Sequence, residues 1–343
     1  MSQKAFKLGI TTFAEVMPDP KTGHTISYEE RIRQVIDEIV LADQVGLDYY
    51  GVGEHHREDF AASNPATILA GAAPLTKHIQ LGSAVTVLSS DDPVRVYQQF
   101  ATLQALSQGR AEITAGRGSF IESFPLFGYD LHDYDALFEE KLDLLTRLNT
   151  DEVVTFKGHH RPSIDGLGVY PRSKPIPIHV AVGGTPSSVV RAAKRGLPLF
   201  LAIIGGQVSR FRPLVELYKK TYLESGYALE DMMISVHSHG FVAPTYEEAY
   251  ETYYPSVHQA MDKIGKERGW GPYTKETYRI ANMMDGALYV GDPAYVIEKI
   301  QHLKKALGTV HRFAMHTPVG FLDHTQVRAS IKLFGEKVAP NVR

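Results

Sequence analysis

Short apolar runs alternate with longer amphipathic segments along almost the whole chain. The run 79–88 carries almost no polar positions, which is typical of a parallel strand that is buried on both faces. Segment 27–46 has apolar residues at helical spacing, Ser27 can cap its first turn, and Glu30 stands at the capping-box position. The alternation predicts eight strands, each followed by a helix, in the segments 7–13, 49–54, 79–88, 111–115, 178–182, 198–204, 233–243 and 311–315.

Eight strand–helix units in 343 residues predict an α/β fold of the (β/α)₈ TIM barrel type with inserted loops, because repeated right-handed βαβ connections close most naturally in this way. A doubly wound open sheet is the alternative. We expect a single domain over 1–343, with insertions at approximately 150–176 and 269–288. The first insertion is polar and rich in Gly and Pro, which indicates a loop or a hairpin. A barrel also requires functional residues just after the C-terminal ends of its strands.

Composition limits the chemistry that the chain can carry. It is 43% hydrophobic and 22% charged, which excludes global disorder, and it contains no cysteine, which excludes thiol nucleophiles and cysteine-bound metals. Any redox chemistry must therefore come from a bound cofactor. The net charge of −3 comes with scattered Lys and Arg, so nucleic acid and membrane partners are not expected. The sequence shows neither a signal-peptide pattern nor an apolar membrane span, and we expect a cytoplasmic protein.

A cluster of titratable residues follows the second predicted strand at Glu54, His55 and His56. Such a cluster could bind a metal, transfer protons or stabilise an anion. Adjacent residues on an extended strand point to opposite faces, so the two histidines are poorly placed to share one metal. The pattern favours one functional histidine, the alternative being that one packs under a loop and the other is exposed.

Two motifs after neighbouring strands suit an anion. Arg117 stands between two glycines after the fourth strand, where the backbone can approach a ligand closely. Residues 183–188 follow the fifth strand and lead directly into a helix, whose N-terminus favours phosphate. The alternative for this second motif is ordinary helix capping by Thr185 or Ser187. Together the two motifs predict a phosphorylated cofactor or substrate across these strands.

Three further histidines lie near the last two strands. His237 and His239 share one face of the seventh strand, and His316 follows the eighth. They could belong to a metal-dependent barrel hydrolase, but the first strand ends in Thr11-Thr12-Phe13 and lacks the expected ligands. Core or substrate-pocket histidines are the favoured interpretation, and we expect no metal site. The sequence also lacks a G-x-G-x-x-G or Walker motif, so a Rossmann-bound dinucleotide is unsupported.

The longest series of recognisable motifs extends over residues 51–128. It contains GVGEHH, then NPATILAGAAPLTKHIQLGSAVTVLSSDDPVRVYQQFATLQALSQGRAEITAGRGSFIESFPLFG, and a late Tyr-Val-Gly-Asp-Pro precedes another helix. In order and spacing these motifs resemble the bacterial luciferase family of flavin-dependent monooxygenases, and the likeness spans nearly the whole chain. The Glu-His-His and Asn64-Pro65 sequences look closer to the FMN-binding branch of that family.

The resemblance implies roles for individual residues. His55 matches the active-site histidine of the family, and Glu54 matches the carboxylate beside it. Ala84 and Val85 match a dipeptide that forms a non-prolyl cis peptide under the flavin ring. Arg117 matches the arginine that contacts the flavin phosphate. The phosphate-binding turn falls on Gly184, Thr185 and Ser188.

The resemblance also implies an activity. An FMN-dependent monooxygenase uses reduced flavin and O₂ to form a C4a-(hydro)peroxyflavin that oxygenates a small organic substrate, with His55 as proton donor or acceptor. A separate flavin reductase and a homodimer through the helices after strands two and three are expected. Gly116 stands where luciferase has a cysteine, so neither light emission nor a long-chain aldehyde is assumed. The alternatives are 5-deazaflavin-dependent hydride transfer, a non-catalytic flavin-binding protein and the metal-dependent hydrolase.

Overall fold

The strands of the computed structural model, which describes residues 5–343, close into a barrel. Eight parallel strands form a ring in the order β1, β2, β3, β5, β8, β9, β10 and β12, and β12 pairs with β1 to complete it. This closure confirms the TIM barrel and excludes the open sheet. The strands are β1 (Lys7–Thr12), β2 (Tyr49–Val52), β3 (Gln80–Ser83), β4 (Thr86–Val87), β5 (Ala111–Gly116), β6 (Val153–Phe156), β7 (Ile164–Gly168), β8 (Ile178–Val182), β9 (Leu199–Ala202), β10 (Ile234–Val242), β11 (Tyr289–Gly291) and β12 (Arg312–His316).

Helices cover the outside of the ring. Many begin at a side-chain cap that the sequence provides: the Ser27 hydroxyl accepts from the Glu30 N–H in the first helix, and Asp92 accepts from the N–H groups of Val94 and Arg95 in the third. Within residues 5–343 we find no helix long and apolar enough to span a membrane. The helices are α1 (Tyr28–Gln44), α2 (Pro65–Ala72), α3 (Pro93–Leu106), α4 (Ser123–Phe127), α5 (Tyr134–Thr150), α6 (Pro186–Lys194), α7 (Arg212–Glu224), α8 (Tyr246–Arg268), α9 (Lys275–Ala281), α10 (Pro293–Leu307) and α11 (His324–Leu333).

A buried ion pair fills the N-terminal end of the barrel. Arg312 donates to both carboxylate oxygens of Glu112, at 2.9 and 2.6 Å, and its guanidinium lies 3.9 Å from the ring centre of Tyr49. His179 lies 3.3 Å from the same carboxylate. Because these residues stand at the starts of their strands, they close the bottom of the barrel.

Two segments depart from the repeat. Residues 150–176 contain the antiparallel hairpin of β6 and β7, which confirms the hairpin prediction. Residues 269–288 contain the short helix α9, and β11 then pairs with the end of β10. The third predicted strand is interrupted, because the chain bends between β3 and β4 at the Ala84–Val85 peptide, which is cis.

Candidate functional site

A cavity of about 420 Å³ lies at the C-terminal ends of the barrel strands. Its position is the one that a TIM barrel uses for function, since the βα loops gather at this end. Of the predicted residues, Glu54, His55, Ala84, Val85 and Arg117 line it, as does Thr185. Most of the wall is apolar and aromatic, with contributions from Phe13, Phe60, Phe120, Phe200, Met261 and Trp270.

His55 is enclosed by aromatic rings. Its ring centre lies 4.5 Å from those of Phe13 and Phe60 and 5.1 Å from that of Phe120. Burial, with a smaller contribution from the neighbouring His316, lowers the pKa of His55 to about 3. At neutral pH the side chain is therefore an uncharged imidazole, which can donate and accept a hydrogen bond.

Glu54 has both carboxylate oxygens engaged. Oε1 lies 2.7 Å from His56 Nε2, and Oε2 accepts a hydrogen bond from the Val87 N–H at 2.8 Å. The Glu54 N–H also donates to the Val85 carbonyl. Glu54 thus holds the segment around the cis peptide in place, a positioning role that the sequence does not reveal.

The wall formed by the cis peptide fits closely against β5. A Cβ atom added to Gly116 would lie 2.6 Å from Val85 Cγ2, a distance that real Cβ contacts do not show. The Val85 side chain therefore occupies the space that a side chain at position 116 would need. The luciferase cysteine could not occupy this backbone position unless Val85 moved.

Cationic and hydroxyl groups mark one end of the cavity. Arg117 Nη1 donates to Asp135 Oδ1 at 2.6 Å, and the Arg117 guanidinium lies 5.1 Å from the ring centre of Tyr134. Thr185 stands at the N-cap of α6, but its hydroxyl caps no N–H group among the residues described. Pro186, the first residue of α6, has no N–H, and the Ser188 N–H donates to the Thr185 carbonyl at 3.1 Å. The Thr185 side chain therefore does not make the capping bond that the alternative interpretation requires.

Gly184 and Ser188 do not face the cavity directly. Gly184 takes a φ of +125°, which glycine adopts without steric cost, and its neighbour Gly183 lines the wall instead. The Ser188 side chain is buried, and its hydroxyl accepts from Arg191 Nη1 at 3.3 Å. Arg191, which the sequence analysis missed, also lies 3.6 Å from Asp135, so it adds a second guanidinium near Arg117.

The predicted histidines of the last two strands meet in the cavity floor. His237, His239 and His316 all line it, and the ring of His316 lies 5.1 Å from that of His237 and 5.3 Å from that of His239. A carboxylate that the sequence analysis missed, Glu15, lies 2.8 Å from His316 Nε2. Across residues 5–343, no three His, Asp or Glu side chains stand in an arrangement that could hold a metal ion.

A profile of the luciferase-like monooxygenase family matches residues 6–310. The chain belongs to this family. Two curated relatives illustrate its range. The alkanal monooxygenase alpha chain of Photobacterium leiognathi is 27% identical, over 92% of this chain and 95% of its own. The F420-dependent glucose-6-phosphate dehydrogenase of Amycolatopsis mediterranei (strain U-32) is 29% identical over 48% of this chain and 52% of its own.

Solved structures share the fold of this luciferase-like chain. Monooxygenase RslO1 from Streptomyces bottropensis superimposes with a TM-score of 0.83 at 22% identity, over 97% of this chain and 99% of its own. The oxygenating constituent of 3,6-diketocamphane monooxygenase from Pseudomonas putida, a type II Baeyer-Villiger enzyme solved with FMN, gives 0.78 at 20% identity, over 98% of each chain.

The roof of the luciferase-like cavity comes from residues that the sequence analysis missed. Arg57 Nη1 donates to Glu122, and its Nη2 donates to Glu267 at the end of α8. Arg268 donates to the Ser119 carbonyl. These contacts tie α8 to the loop after β5, but they join residues that are far apart in sequence, so no local pattern announces them.

Residues 150–176 do not reach the cavity. Within residues 5–343 the lining of the cavity contains nothing from this segment. The insertion connects α5 to the start of β8, whereas the cavity is built from loops at the strand ends. Its hairpin packs outside the barrel, where the N–H of His160 donates to Glu140 of α5 and the Tyr170 carbonyl accepts from Gln98 of α3.

Proposed function

We propose that the chain is an FMN-dependent monooxygenase, which uses reduced flavin and O₂ to oxygenate a small organic substrate. The observation that carries the proposal is a single cavity whose wall is mostly apolar and aromatic and which is also lined by Arg117 and Thr185. FMN combines the two matching chemical groups, with a phosphate at one end and a flat ring system at the other. When bound, FMN supplies the redox chemistry, since the protein contains no cysteine that could supply a thiol–disulfide couple.

Arg117, Thr185 and the N-terminus of α6 would hold the phosphate, with the neighbouring backbone of Gly184 and the buried Ser188 supporting the turn. A guanidinium provides charge-assisted hydrogen bonds to phosphate, and the helix dipole adds to them. Ala84 and Val85 would support the ring, because the cis peptide forms part of the wall.

His55 would move or hold a proton at its imidazole beside the reacting centre, and Glu54 would keep the adjoining wall fixed. A neutral His55 suits this role, since an imidazole whose pKa lies far below 7 carries no charge into the apolar enclosure. The surrounding phenyl rings exclude water from the site, which protects reactive species from hydrolysis.

A second candidate is hydride transfer with a 5-deazaflavin, which the F420-dependent relative favours. The anion end would serve either cofactor, because both carry a phosphate. The two candidates differ in their reaction with O₂, which is a substrate only for the monooxygenase.

The test is to measure binding of FMN, riboflavin and F420 to the wild type and to Arg117→Ala by fluorescence titration. We expect Arg117→Ala to weaken the binding of FMN by about 10-fold to 150-fold, because it removes a charged hydrogen bond worth roughly 1.5–3 kcal/mol. The binding of riboflavin, which has no phosphate, should not change. Arg95→Ala is the matched control, because Arg95 is exposed on α3 outside the cavity. Equal weakening of FMN and riboflavin would overturn the phosphate assignment.

The same protein separates the candidate activities. Each reduced FMN consumes one O₂ with or without the protein, so the quantity to measure is hydrogen peroxide. Free photoreduced FMN releases it at once in air, and bound photoreduced FMN should release it more slowly, whereas reduced F420 should consume no O₂. Binding of F420 without binding of FMN, whether oxidised or reduced, would favour the hydride-transfer candidate. If the protein binds neither FMN nor F420, both candidate functions are wrong.

We also propose a separate flavin reductase as electron donor and a homodimer formed through α2 and α3. The exposed apolar side chains of Leu75, which follows α2, and Leu106, the last residue of α3, support the second proposal. Light scattering of the wild type and of Leu75→Asp measures the mass directly. A monomeric wild type contradicts the dimer.

A further inference from the structure

Thr11 joins two histidines of the cavity floor through a single hydroxyl group. Its Oγ1 lies 3.1 Å from His237 Nδ1 and 3.2 Å from His316 Nδ1. A hydroxyl has one proton to donate and lone pairs with which to accept. Thr11 can therefore donate to one imidazole while it accepts from the other, and in that arrangement the protonation of one ring dictates the tautomer of the other.

Glu15 fixes the far end of this chain of hydrogen bonds. Its Oε1 lies 2.8 Å from His316 Nε2, and its Oε2 accepts from the Thr12 hydroxyl. An ionised carboxylate can only accept, so His316 keeps a proton on Nε2. His316 Nδ1 is then bare in the neutral ring and protonated in the imidazolium.

The near end is His237 Nε2, which makes no hydrogen bond to any residue in 5–343, although the side chain lines the cavity. When His316 is neutral, Thr11 donates to it and accepts from His237 Nδ1–H, so His237 Nε2 is an acceptor. When His316 is an imidazolium, the Thr11 hydroxyl turns round and His237 Nε2 carries the proton. The nitrogen that faces the cavity thus switches between acceptor and donor.

We propose that Thr11, His316 and Glu15 form a proton relay through which His237 accepts a proton from a ligand hydroxyl in the cavity. The ligand O–H bond breaks as Nε2–H forms on His237. The Nδ1 proton of His237 moves to Thr11 Oγ1, and the original Thr11 proton moves to His316 Nδ1. One proton enters and one imidazolium forms, no electrons are transferred, and the reverse sequence returns a proton to a ligand oxygen.

The relay solves a problem of buried charge. Burial lowers the pKa of His237 well below its usual value, so this ring is a poor place for a positive charge. In both states of the relay His237 is neutral, and the charge lies on His316, where the Glu15 carboxylate balances it. The chemical class served is a weakly acidic O–H, such as an enol or a phenol, or its oxygen anion.

Other titratable groups surround the pair and bear on its protonation. They come from the loops and strands beside the cavity and from two packed helices, and they are Glu15, Tyr50, His55, His239, Arg31 of α1 and Tyr253 of α8. Burial lowers the pKa values of His55 and His239 to about 3, so both rings are neutral at the pH of the test. The relay belongs to the protein's own hydrogen bonds and goes beyond the proposed function, and its test needs no flavin.

The test is ¹⁵N NMR of protein labelled in the histidine rings, recorded from pH 9 to pH 5, with signals assigned from His237→Gln and His316→Gln. We expect neutral His316 to occur only with His237 protonated on Nδ1, and imidazolium His316 only with His237 protonated on Nε2. Thr11→Ser, which keeps the hydroxyl, should preserve this pairing. Thr11→Val, which has nearly the same shape but lacks the hydroxyl, should abolish it.

The pairing can be judged at any single pH. Neutral His316 together with Nε2-protonated His237 in the wild type would overturn the relay, as would a pairing that survives in Thr11→Val. If Thr11→Val fails to fold, the wild type and Thr11→Ser still decide, because either one with mismatched rings contradicts the proposal.

Discussion

Gly116 offers a direct test of how tightly the cis-peptide wall is packed. The change is Gly116→Ala, which adds one methyl group at a position on β5 where Val85 leaves no room. The new Cβ would lie 2.6 Å from Val85 Cγ2 and 2.9 Å from Val85 Cβ. Carbon atoms in good contact lie at about 3.5–4.0 Å, so the two segments must separate by roughly 1 Å.

The expected cost follows from this misfit. Inserting a methyl group into a packed site costs about 1–3 kcal/mol, because neighbouring atoms leave their energy minima. The cost should fall when the opposing methyl groups are removed in Val85→Ala. The two changes therefore should not add, and the double variant should recover about 1 kcal/mol or more, since the residues are in direct contact.

Urea unfolding of the four proteins in this cycle measures the free energies. Gly183→Ala is the matched control: Gly183 lines the same cavity, but no atom lies within 4 Å of its added Cβ, so its free energy of unfolding should change little. The reasoning is refuted if Gly116→Ala is as stable as the wild type. It is refuted equally if Gly116→Ala costs the same with and without Val85.

Three further predictions concern charge. Asp135→Asn should tighten the binding of FMN by up to about fivefold, because Asp135 forms an exposed ion pair with Arg117 that competes with the phosphate and is worth roughly 0.2–1 kcal/mol. Fluorescence titration measures this binding, and unchanged or weaker binding would contradict the prediction. Burial raises the pKa of Glu112, but Arg312 and His179 outweigh it and hold that pKa well below the usual range. The stability that the ionised Glu112 contributes is complete above the ordinary carboxyl pKa of about 4.3 and declines as the pH falls below it. Glu112→Gln should therefore be less stable than the wild type by about 3–5 kcal/mol at pH 7. In urea unfolding, it should also lose less stability than the wild type between pH 5 and pH 3. Equal losses of stability in the wild type and in Glu112→Gln between pH 5 and pH 3 would refute this. Arg57→Met should increase hydrogen exchange in residues 117–122 by releasing Glu122 and Glu267, and unaltered exchange there would show that these ion pairs do not hold the roof.

The fold was largely predictable because its signal is local. Continuous apolar runs, capped helices and the regular order of the two were sufficient to place all eight strands of the ring. The small elements were not predictable in this way. The five residues of α4 and the three of β11 are too short to establish a periodicity, and β11 is a strand only because it pairs with β10.

The site was predictable where one segment carries it. His55, Arg117 and Thr185 each stand next to a strand end, and the sequence motif itself locates them at the cavity. Glu15 and Arg57 escaped notice, because their meaning depends on His316 and Glu267, residues that are hundreds of positions away. Only closure of the barrel brings such partners together.

The hairpin of β6 and β7 provides a place for a chemical handle. It packs on the outer surface of the barrel, its turn includes the exposed Ser163, and no residue of 150–176 among those described borders the cavity. The chain contains no cysteine. A cysteine introduced at Ser163 would therefore be its only thiol, so a fluorophore or a surface linker could be attached at one defined point that does not border the cavity.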